Sequence, residues 1–290
     1  MKRIAILFFL FTFIVSTPSY SQTRRALVIG LGKQQDAAWA KINGDKDVEI
    51  VVKMLKYNHF SDISTLVNAA ATKQGIVNNF AQLTARCKPG DIIYIHFSGH
   101  GQRMTDVDGD EKDGYDESWI PYDAYKSYCR QDHGEKHLCD DEIGRMLTLL
   151  REKVGERGNI IVTVDACHSG DSTRDLNDDS VNVRGVFEDF VIPVVKRGSA
   201  RQIEERWLTL SACLSNQLNQ EHPSGYGKLT YGICTLWREM KGKNNAEVLS
   251  IITRYMKRKG VRGKYPQTPI LTGGTDKYRF STLFYVKKKK

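Results

Sequence analysis

Blocks of apolar residues along the chain predict short buried strands that alternate with amphipathic helices. The first part of the chain is predicted to contain a strand over 25–29, a helix over 45–56, a strand over 63–67, a helix capped by Thr72 and a strand over 92–97. This βαβαβ order is typical of a parallel sheet that is covered by helices.

The second half of the chain continues the alternation and adds a long polar segment. Its predicted elements are a helix starting at Asp140, strands over 159–164 and 207–212, helices over 226–240 and 246–259, and strands over 267–271 and 280–286. A polar loop over 171–205 lies between two of these strands. Because no Pro/Ser-rich linker interrupts the pattern, we expect one α/β domain over 22–290, with a mostly parallel central sheet flanked by helices on both faces.

Residues 1–21 are predicted to be a signal peptide and are set apart from that domain. Lys2 and Arg3 precede an apolar run over 4–15, and the small residues Ser19 and Ser21 follow it. The apolar run is shorter than the about 20 residues that a membrane-spanning helix needs. We therefore expect an exported protein, periplasmic or secreted, with no transmembrane segment once the signal is removed.

The charge of the chain bears on its partners. The formal net charge is +9, and part of it is concentrated at 257–259 and in the tail over 287–290. No nucleic-acid-binding motif accompanies these runs. We therefore attribute the charge to a solvated surface, or to contact with an anionic cell envelope, rather than to nucleic acid.

Six cysteines in an exported chain raise the question of disulfides. Cys129 and Cys139 flank one polar loop and are the best candidate pair. Cys87, Cys213 and Cys234 lie in apolar segments, where we expect them to be small buried side chains.

Two of the predicted strands end in residues that can cooperate in nucleophilic catalysis. The strand over 92–97 is followed by His100 between two glycines, and the strand over 159–164 is followed by Cys167. A thiol attacks as the thiolate, and a nearby imidazole can take its proton. Either residue alone is more often structural, but their placement after two strand ends favours a catalytic pair. His168 is a weaker base, because adjacent residues on an extended chain point to opposite faces.

The segments 97–101 and 165–170 together resemble the motifs of the caspase-like cysteine peptidases, and most closely those of the metacaspases and their bacterial relatives. The resemblance covers most of the predicted domain. It implies a caspase-like fold with His100 as general base and Cys167 as nucleophile. It also implies an oxyanion hole formed by the backbone amides of Gly101 and Cys167.

The same resemblance implies an acidic pocket for the side chain that precedes the cleaved bond. Asp165 and Ser98 match two residues of that pocket, and Asp47 aligns with a second carboxylate. Such a pocket would accept Arg or Lys and reject the Asp preferred by caspases. For Asp47 the alternatives are a solvated side chain or one that stabilises the N-terminus of its helix.

An acidic loop from Asp106 to Glu117 has seven carboxylates among twelve residues. It imitates an EF-hand, but Glu111 stands where that motif needs glycine. Resemblance to metacaspases implies a different calcium site, formed by Asp116, Asp140, Asp141 and Asp175, with Asp171 as the substitute for the last of these. A solvated acidic loop is the alternative. We expect no organic cofactor.

The polar loop over 171–205 contains basic residues in chain that we expect to be exposed, namely Arg174, Arg184, Lys196, Arg197 and Arg201. A peptidase specific for basic residues could cut itself there, although an ordinary surface loop is an equal alternative.

The functional prediction is an exported cysteine endopeptidase that cleaves proteins or peptides after Arg or Lys, with possible calcium activation and self-processing. The alternatives are a catalytically silent caspase-like binding domain, a calcium-binding structural protein, and a peptidase of the same clan with another specificity. The sequence does not indicate an oligomeric state.

Overall fold

The computed structural model describes residues 22–167, 183–186, 188–193 and 203–284, which form nine strands and five helices. The strands are β1 (Arg24–Gly30), β2 (Asp62–Val67), β3 (Ile92–Ser98), β4 (Gly101–Thr105), β5 (Tyr115–Trp119), β6 (Leu138–Cys139), β7 (Asn159–Asp165), β8 (Leu208–Ser211) and β9 (Ile270–Gly273). The helices are α1 (Gly44–Tyr57), α2 (Lys73–Arg86), α3 (Asp140–Val154), α4 (Lys228–Met240) and α5 (Asn245–Met256).

Six of the strands form a central sheet in the order β2-β1-β3-β7-β8-β9. The first five are parallel, and β9 pairs with β8 in the antiparallel direction. Every residue of β3 and β7 is buried, because α1, α4 and α5 pack on one face of the sheet and α2 and α3 on the other. The predicted α/β architecture, a mostly parallel sheet flanked by helices on both faces, is confirmed.

The helices begin where the sequence supplies capping side chains. Thr72 precedes α2, and its Oγ1 accepts a hydrogen bond from the amide of Gly75 at 3.0 Å. Asn244 precedes α5 and forms a reciprocal capping box with Glu247. These local contacts satisfy amides that a helix N-terminus leaves unpaired.

A second, antiparallel sheet of β4, β5 and β6 was not predicted. Its strands are short, and β4 and β5 are rich in polar residues, so no apolar alternation marks them in the sequence. Pairing of β4 with β5 makes the acidic loop a hairpin, with Thr105 opposite Tyr115.

Two further expectations are corrected by the structure. The strand predicted over 280–286 is wrong, because Phe280–Phe284 forms a 3₁₀ helix whose Phe280, Leu283 and Phe284 are buried in the core. Periodicity alone does not distinguish a short buried helix from a strand. The prediction of a disulfide between Cys129 and Cys139 is also wrong, because both residues are free thiols.

Among the described residues, the structure contains no helix with the length and apolar character needed to cross a membrane.

Candidate active site

The two central strands of the sheet bring His100 and Cys167 to its carboxyl edge. β3 and β7 are parallel neighbours, and Ser98 pairs with Asp165 at the ends of the two strands. His100 and Cys167 each lie two residues beyond that pair, and both are fully buried. Ligands of open α/β sheets bind at this edge.

The environment of His100 determines which ring nitrogen can act as a base. Its Nε2 lies 2.8 Å from the carbonyl oxygen of Ala40. Because a carbonyl only accepts hydrogen bonds, Nε2 carries the proton. The ring stacks on Trp39 with centroids 5.0 Å apart, and burial lowers the pKa of His100 to about 4. The imidazole is therefore neutral at pH 7. Its Nδ1, which has no hydrogen-bond partner among the described residues, is the available acceptor.

The predicted pocket residues lie together beside this pair. Asp47 is in the first turn of α1 and is fully buried, so the solvated alternative is wrong. Ser98 donates a hydrogen bond from Oγ to Asp47 Oδ2 at 2.6 Å. Asp165 accepts hydrogen bonds from Asn219 Nδ2 at 2.7 Å and from Thr230 Oγ1 at 2.6 Å. The fold brings the three predicted pocket residues, Asp47, Ser98 and Asp165, into one buried acidic site.

A basic side chain of the same protein fills this pocket. The guanidinium of Arg184 donates from Nη1 to Asp47 Oδ2 at 2.7 Å and to Ser98 Oγ at 2.5 Å. The same Nη1 lies 3.9 Å from Asp165 Oδ1. Arg184 is fully buried, so the expectation that it is exposed is wrong. Burial of an unpaired guanidinium would be costly. The attraction of three nearby carboxylates, those of Asp47, Asp165 and a third described next, offsets this desolvation cost.

The third carboxylate, Glu221, was missed by the sequence analysis. Its Oε1 accepts a hydrogen bond from Arg184 Nη2 at 3.0 Å, and its orientation is held by the backbone amide of Asn43 at 2.7 Å. Glu221 lies in the loop after β8, at the same carboxyl edge as the other site residues. The rule that ligands bind at that edge would have directed attention to this loop.

Close packing around the carboxylates sets the pocket's electrostatics. Burial raises the pKa of Asp47 to about 6, because the lowering effect of Arg184 is opposed by desolvation and by the charge of Asp165. The amide of Gly227 donates to Asp47 Oδ1 at 3.0 Å. A Cβ at this glycine would stand 2.1 Å from Asp165 Oδ2. Only glycine therefore fits at position 227, where the backbone closes the pocket.

The nucleophile's backbone also contacts the segment that contains Arg184. The amide of Cys167 donates to the carbonyl oxygen of Arg184 at 2.9 Å. This is the contact expected of an oxyanion-hole amide. Gly101, the other predicted contributor, pairs with Gly185 in an isolated parallel bridge.

A cluster of carboxylates lies on the hairpin of the second sheet and the start of α3. One oxygen from each of Asp106, Asp110 and Asp116 lies within 4.8 Å of the others, and the same holds for Asp108, Asp110 and Asp141. Of the predicted ligands, Asp116 and Asp141 belong to these groups. Asp140 is exposed and belongs to neither, and Asp175 and its substitute Asp171 lie outside the described residues.

The carboxylate cluster has the character of a cation site. Burial, followed by repulsion from Asp106, raises the pKa of Asp116 to about 7. Its Oδ1 is buried without a hydrogen-bond partner in the described part of the chain. Burial and the contact with Asp108 raise the pKa of Asp141 to about 7 as well. An array of closely spaced carboxylate oxygens suits calcium.

The fold and the edge residues define a class of protein, a caspase-like α/β domain with a thiol, an imidazole and an acidic pocket at the carboxyl ends of its strands. Caspase-1 from Spodoptera frugiperda is similar in fold, with a TM-score of 0.59 and 9% identity over 88% of this chain and 90% of that chain. The crystal structure of a protein from Geobacter sulfurreducens aligns with a TM-score of 0.62 and 23% identity over 86% of this chain and 92% of that chain.

Sequence comparison identifies the family. The model described as "Metacaspase, peptidase C14 domain" matches residues 24–176. Metacaspase III c of Phaeodactylum tricornutum is 29% identical over 161 residues, 53% of this chain and 44% of the relative. Metacaspase-2 of Arabidopsis thaliana is 41% identical over 100 residues, 34% of this chain and 21% of the relative. These matches thus span less than half the length of either relative. The chain belongs to the metacaspase family of C14 peptidases.

Proposed function

We propose that this protein is a cysteine endopeptidase that hydrolyses peptide bonds after Arg, and less readily after Lys. The observation that carries the proposal is the buried guanidinium of Arg184 within a pocket of three carboxylates beside Cys167. That pocket accommodates the side chain that precedes a cleaved bond, because the carbonyl of Arg184 lies on the amide of Cys167.

In the proposed mechanism, Nδ1 of His100 accepts the thiol proton and Sγ of Cys167 attacks the carbonyl carbon of the substrate. The amide of Cys167 stabilises the oxyanion that develops. The imidazolium then protonates the leaving amine, which leaves a thioester on the enzyme. A water molecule, deprotonated by the same imidazole, hydrolyses the thioester and restores the thiol.

Charge and geometry support the preference for Arg. Asp47 and Glu221 engage different Nη atoms of the guanidinium, so a planar fork reaches both carboxylates at once. The single ammonium of Lys lacks this arrangement. An Asp side chain would meet three carboxylates in a buried site, and repulsion would exclude it.

Calcium activation and export are further parts of the proposal. Asp116, Asp141 and the neighbouring carboxylates of their groups would hold the cation, which would neutralise the repulsion between them. The apolar run over 4–15 after two basic residues supports export through a cleaved signal, to the periplasm or beyond the cell.

The test is hydrolysis of matched peptides with Arg, Lys or Asp before the cleaved bond, with and without calcium. We expect Arg to be cleaved fastest, Lys more slowly and Asp not at all. The Cys167→Ala variant should be inactive. Absence of Cys167-dependent turnover under all of these conditions would refute the peptidase proposal, and turnover of Asp peptides would refute the acidic-pocket specificity.

A further inference from the structure

A row of polar side chains crosses the central sheet behind the acidic pocket. Tyr94 and His96 lie on the same face of β3, because side chains two residues apart on a strand share a face. Thr163 of β7 is the register partner of His96, and Asp165 follows it on that face. All four are fully buried, although the core around them is apolar. Such burial is costly unless the polar groups bond to one another.

Hydrogen-bonding contacts link these side chains into a chain that ends on Asp165. Thr163 Oγ1 lies 2.7 Å from Tyr94 Oη and 2.7 Å from His96 Nδ1. On the other side of the ring, His96 Nε2 lies 3.4 Å from Oγ1 of Thr230, in the first turn of α4. Thr230 Oγ1 in turn lies 2.6 Å from Asp165 Oδ2. We call these five residues the relay.

The direction of each bond in the relay follows from its two ends. A carboxylate only accepts, so the hydroxyl of Thr230 donates to Asp165, and its oxygen is left to accept from His96 Nε2. Burial lowers the pKa of His96 to about 4, so at pH 7 one ring nitrogen donates and the other accepts. Nε2 therefore carries the proton, and Nδ1 accepts from the hydroxyl of Thr163. The bonds all run toward the pocket carboxylate, and bonds aligned in this way strengthen one another.

The relay determines how Asp165 faces the pocket. Oδ2 accepts from the backbone amide of Thr230 at 2.8 Å as well as from its hydroxyl. Oδ1 accepts from Asn219 Nδ2 at 2.7 Å, and it is the oxygen that lies 3.9 Å from Arg184 Nη1. Rotation of the carboxylate would break both sets of bonds. The oxygen that attracts a guanidinium is therefore fixed before a ligand arrives.

We propose that His96 is a positioning residue of the acidic pocket: through the hydroxyl of Thr230, its Nε2–H holds Asp165 with Oδ1 toward the guanidinium of a substrate. The inference rests on the proposed function and adds a residue to its specificity. A carboxylate that is already oriented spares part of the ordering cost of binding. Because the imidazole stays neutral, it supports Asp165 without adding a positive charge that would repel a cation.

Variants that preserve side-chain volume test the relay at Thr230. Thr230→Val keeps the shape and the backbone amide but removes the hydroxyl. The KM for an Arg peptide should rise about tenfold, because a hydrogen bond to a charged group is lost, while kcat stays within about twofold. Thr230→Ser restores the hydroxyl and should return KM to near the wild-type value. The matched control Thr209→Val makes the same change on the opposite face of the sheet and should leave KM unchanged.

A second pair of variants tests the two ring nitrogens of His96 separately. The amide of His96→Gln reaches the position of Nε2 and can still donate to Thr230, so KM should stay near the wild-type value. The amide of His96→Asn reaches only the position of Nδ1, and KM should rise about threefold. The double variant His96→Asn/Thr230→Val should have the KM of Thr230→Val alone, because the effect of His96 passes through that hydroxyl.

The tautomer of His96 is a readout that does not require turnover. Nitrogen NMR of the Cys167→Ala protein labelled at histidine should show a neutral ring with the proton on Nε2 at pH 7. The signal is assigned by its loss in His96→Gln. A proton on Nδ1, or a charged ring, would overturn the inference, because the bonds would then not run toward Asp165. Where His96→Asn does not fold, this measurement and the two Thr230 variants still decide.

The outcomes separate this inference from the proposed function. If Arg peptides are cleaved but Thr230→Val and Thr230→Ser have the same KM, the inference is overturned and the peptidase assignment stands. Effects of His96→Asn and Thr230→Val that add in the double variant also overturn it, since independent packing would produce that result. If the wild-type chain shows no Cys167-dependent hydrolysis, the proposed function fails and the inference fails with it.

Discussion

At the scale of single residues, the site is governed by buried charge. Arg184 neutralises part of a negative charge carried by Asp47, Asp165 and Glu221, all of which are buried. Buried ion pairs of this kind are costly to break because the remaining partner stays desolvated. Withdrawal of Arg184 from the pocket would therefore leave three carboxylates that attract another guanidinium.

We expect Glu221→Gln to reduce kcat/KM for Arg peptides by about tenfold, because one charge-assisted hydrogen bond to the guanidinium is lost. Lys peptides should lose less, so the preference for Arg narrows. The ratio of kcat/KM for Arg peptides to kcat/KM for Lys peptides checks this. Glu239→Gln, at an exposed position of α4, is the matched control. An unchanged Arg/Lys ratio in Glu221→Gln would contradict the role of Glu221.

The raised pKa of Asp47 predicts an acid limit to activity. With a pKa of about 6, this carboxyl is ionised at pH 7 and becomes protonated as the pH falls through 6. The pocket then loses attraction for a cation. Because Arg184 lowers that pKa, the limit should lie at or above pH 6 once Arg184 leaves.

A profile of kcat/KM for an Arg peptide between pH 5 and pH 8 tests this, with a decline of up to about tenfold per pH unit on the acid side. His100, whose pKa is about 4, stays neutral throughout and does not produce the limit. Asp47→Asn should weaken turnover and remove the acid limb. Persistence of the same limb in that variant would assign it to another group.

At the scale of elements, each strand end delivers one part of the site. β1 leads to α1 and Asp47, β3 to Ser98 and His100, and β7 to Asp165 and Cys167. The hairpin of β4 and β5 is separate from these strand ends, and with the start of α3 it gathers carboxylates close to one another. Its stability should therefore depend on a cation.

Calcium should raise the melting temperature of the Cys167→Ala protein, and more at pH 8 than at pH 6. The pKa values of Asp116 and Asp141 are raised to about 7, whereas an unfolded carboxyl ionises near pH 4. Between these values the folded state holds extra protons, so without a cation the free energy of unfolding falls as the pH rises. Bound calcium compensates for the ionised carboxylates and is most effective where they are ionised.

Scanning calorimetry with and without calcium measures this effect. Asp116→Asn should abolish most of the shift, whereas Asp113→Asn, in the same loop but outside both carboxylate groups, should retain it. A calcium-dependent shift of equal size in the two variants would exclude the cluster as the binding site.

At the scale of the whole molecule, one sheet joins the parts of the chain before and after the loop over 171–205. β7 lies before this loop and β8 after it, and the two are paired neighbours. One core joins both parts, with Val48 and Ile161 packed among Leu208 and Ile252. Separation would expose this apolar surface to water.

If the chain is cut within the loop over 171–205, the two pieces should therefore co-elute as one species of native size and separate only in denaturant. Size-exclusion chromatography followed by mass spectrometry checks this. Elution of two separate pieces under native conditions would contradict a shared core.

Much of the architecture could be predicted from the sequence. The strands that end before His100 and Cys167 are continuous apolar runs, and the helix after Thr72 has both a cap and an apolar face. Short polar strands such as β4 and β5 escaped prediction, because their stability comes from pairing rather than from a local apolar pattern. The apolar run over 280–286 was predicted to be a strand rather than a 3₁₀ helix, because a short, fully apolar run has no periodicity that distinguishes the two.

The sequence by itself determined the class of fold and the placement of the thiol, the imidazole and one carboxylate, Asp165, at strand ends, because these follow from local periodicity and from the geometry of parallel strands. Asp47 was indicated by the resemblance to metacaspases. Only the tertiary structure decided which of five basic residues in one loop enters the pocket, and that Glu221 meets it there. Arg184 and Asp47 are 137 positions apart. No local pattern encodes such a contact. It forms only when the folded sheet brings the carboxyl ends of its strands together, so that the buried carboxylates there attract a cation.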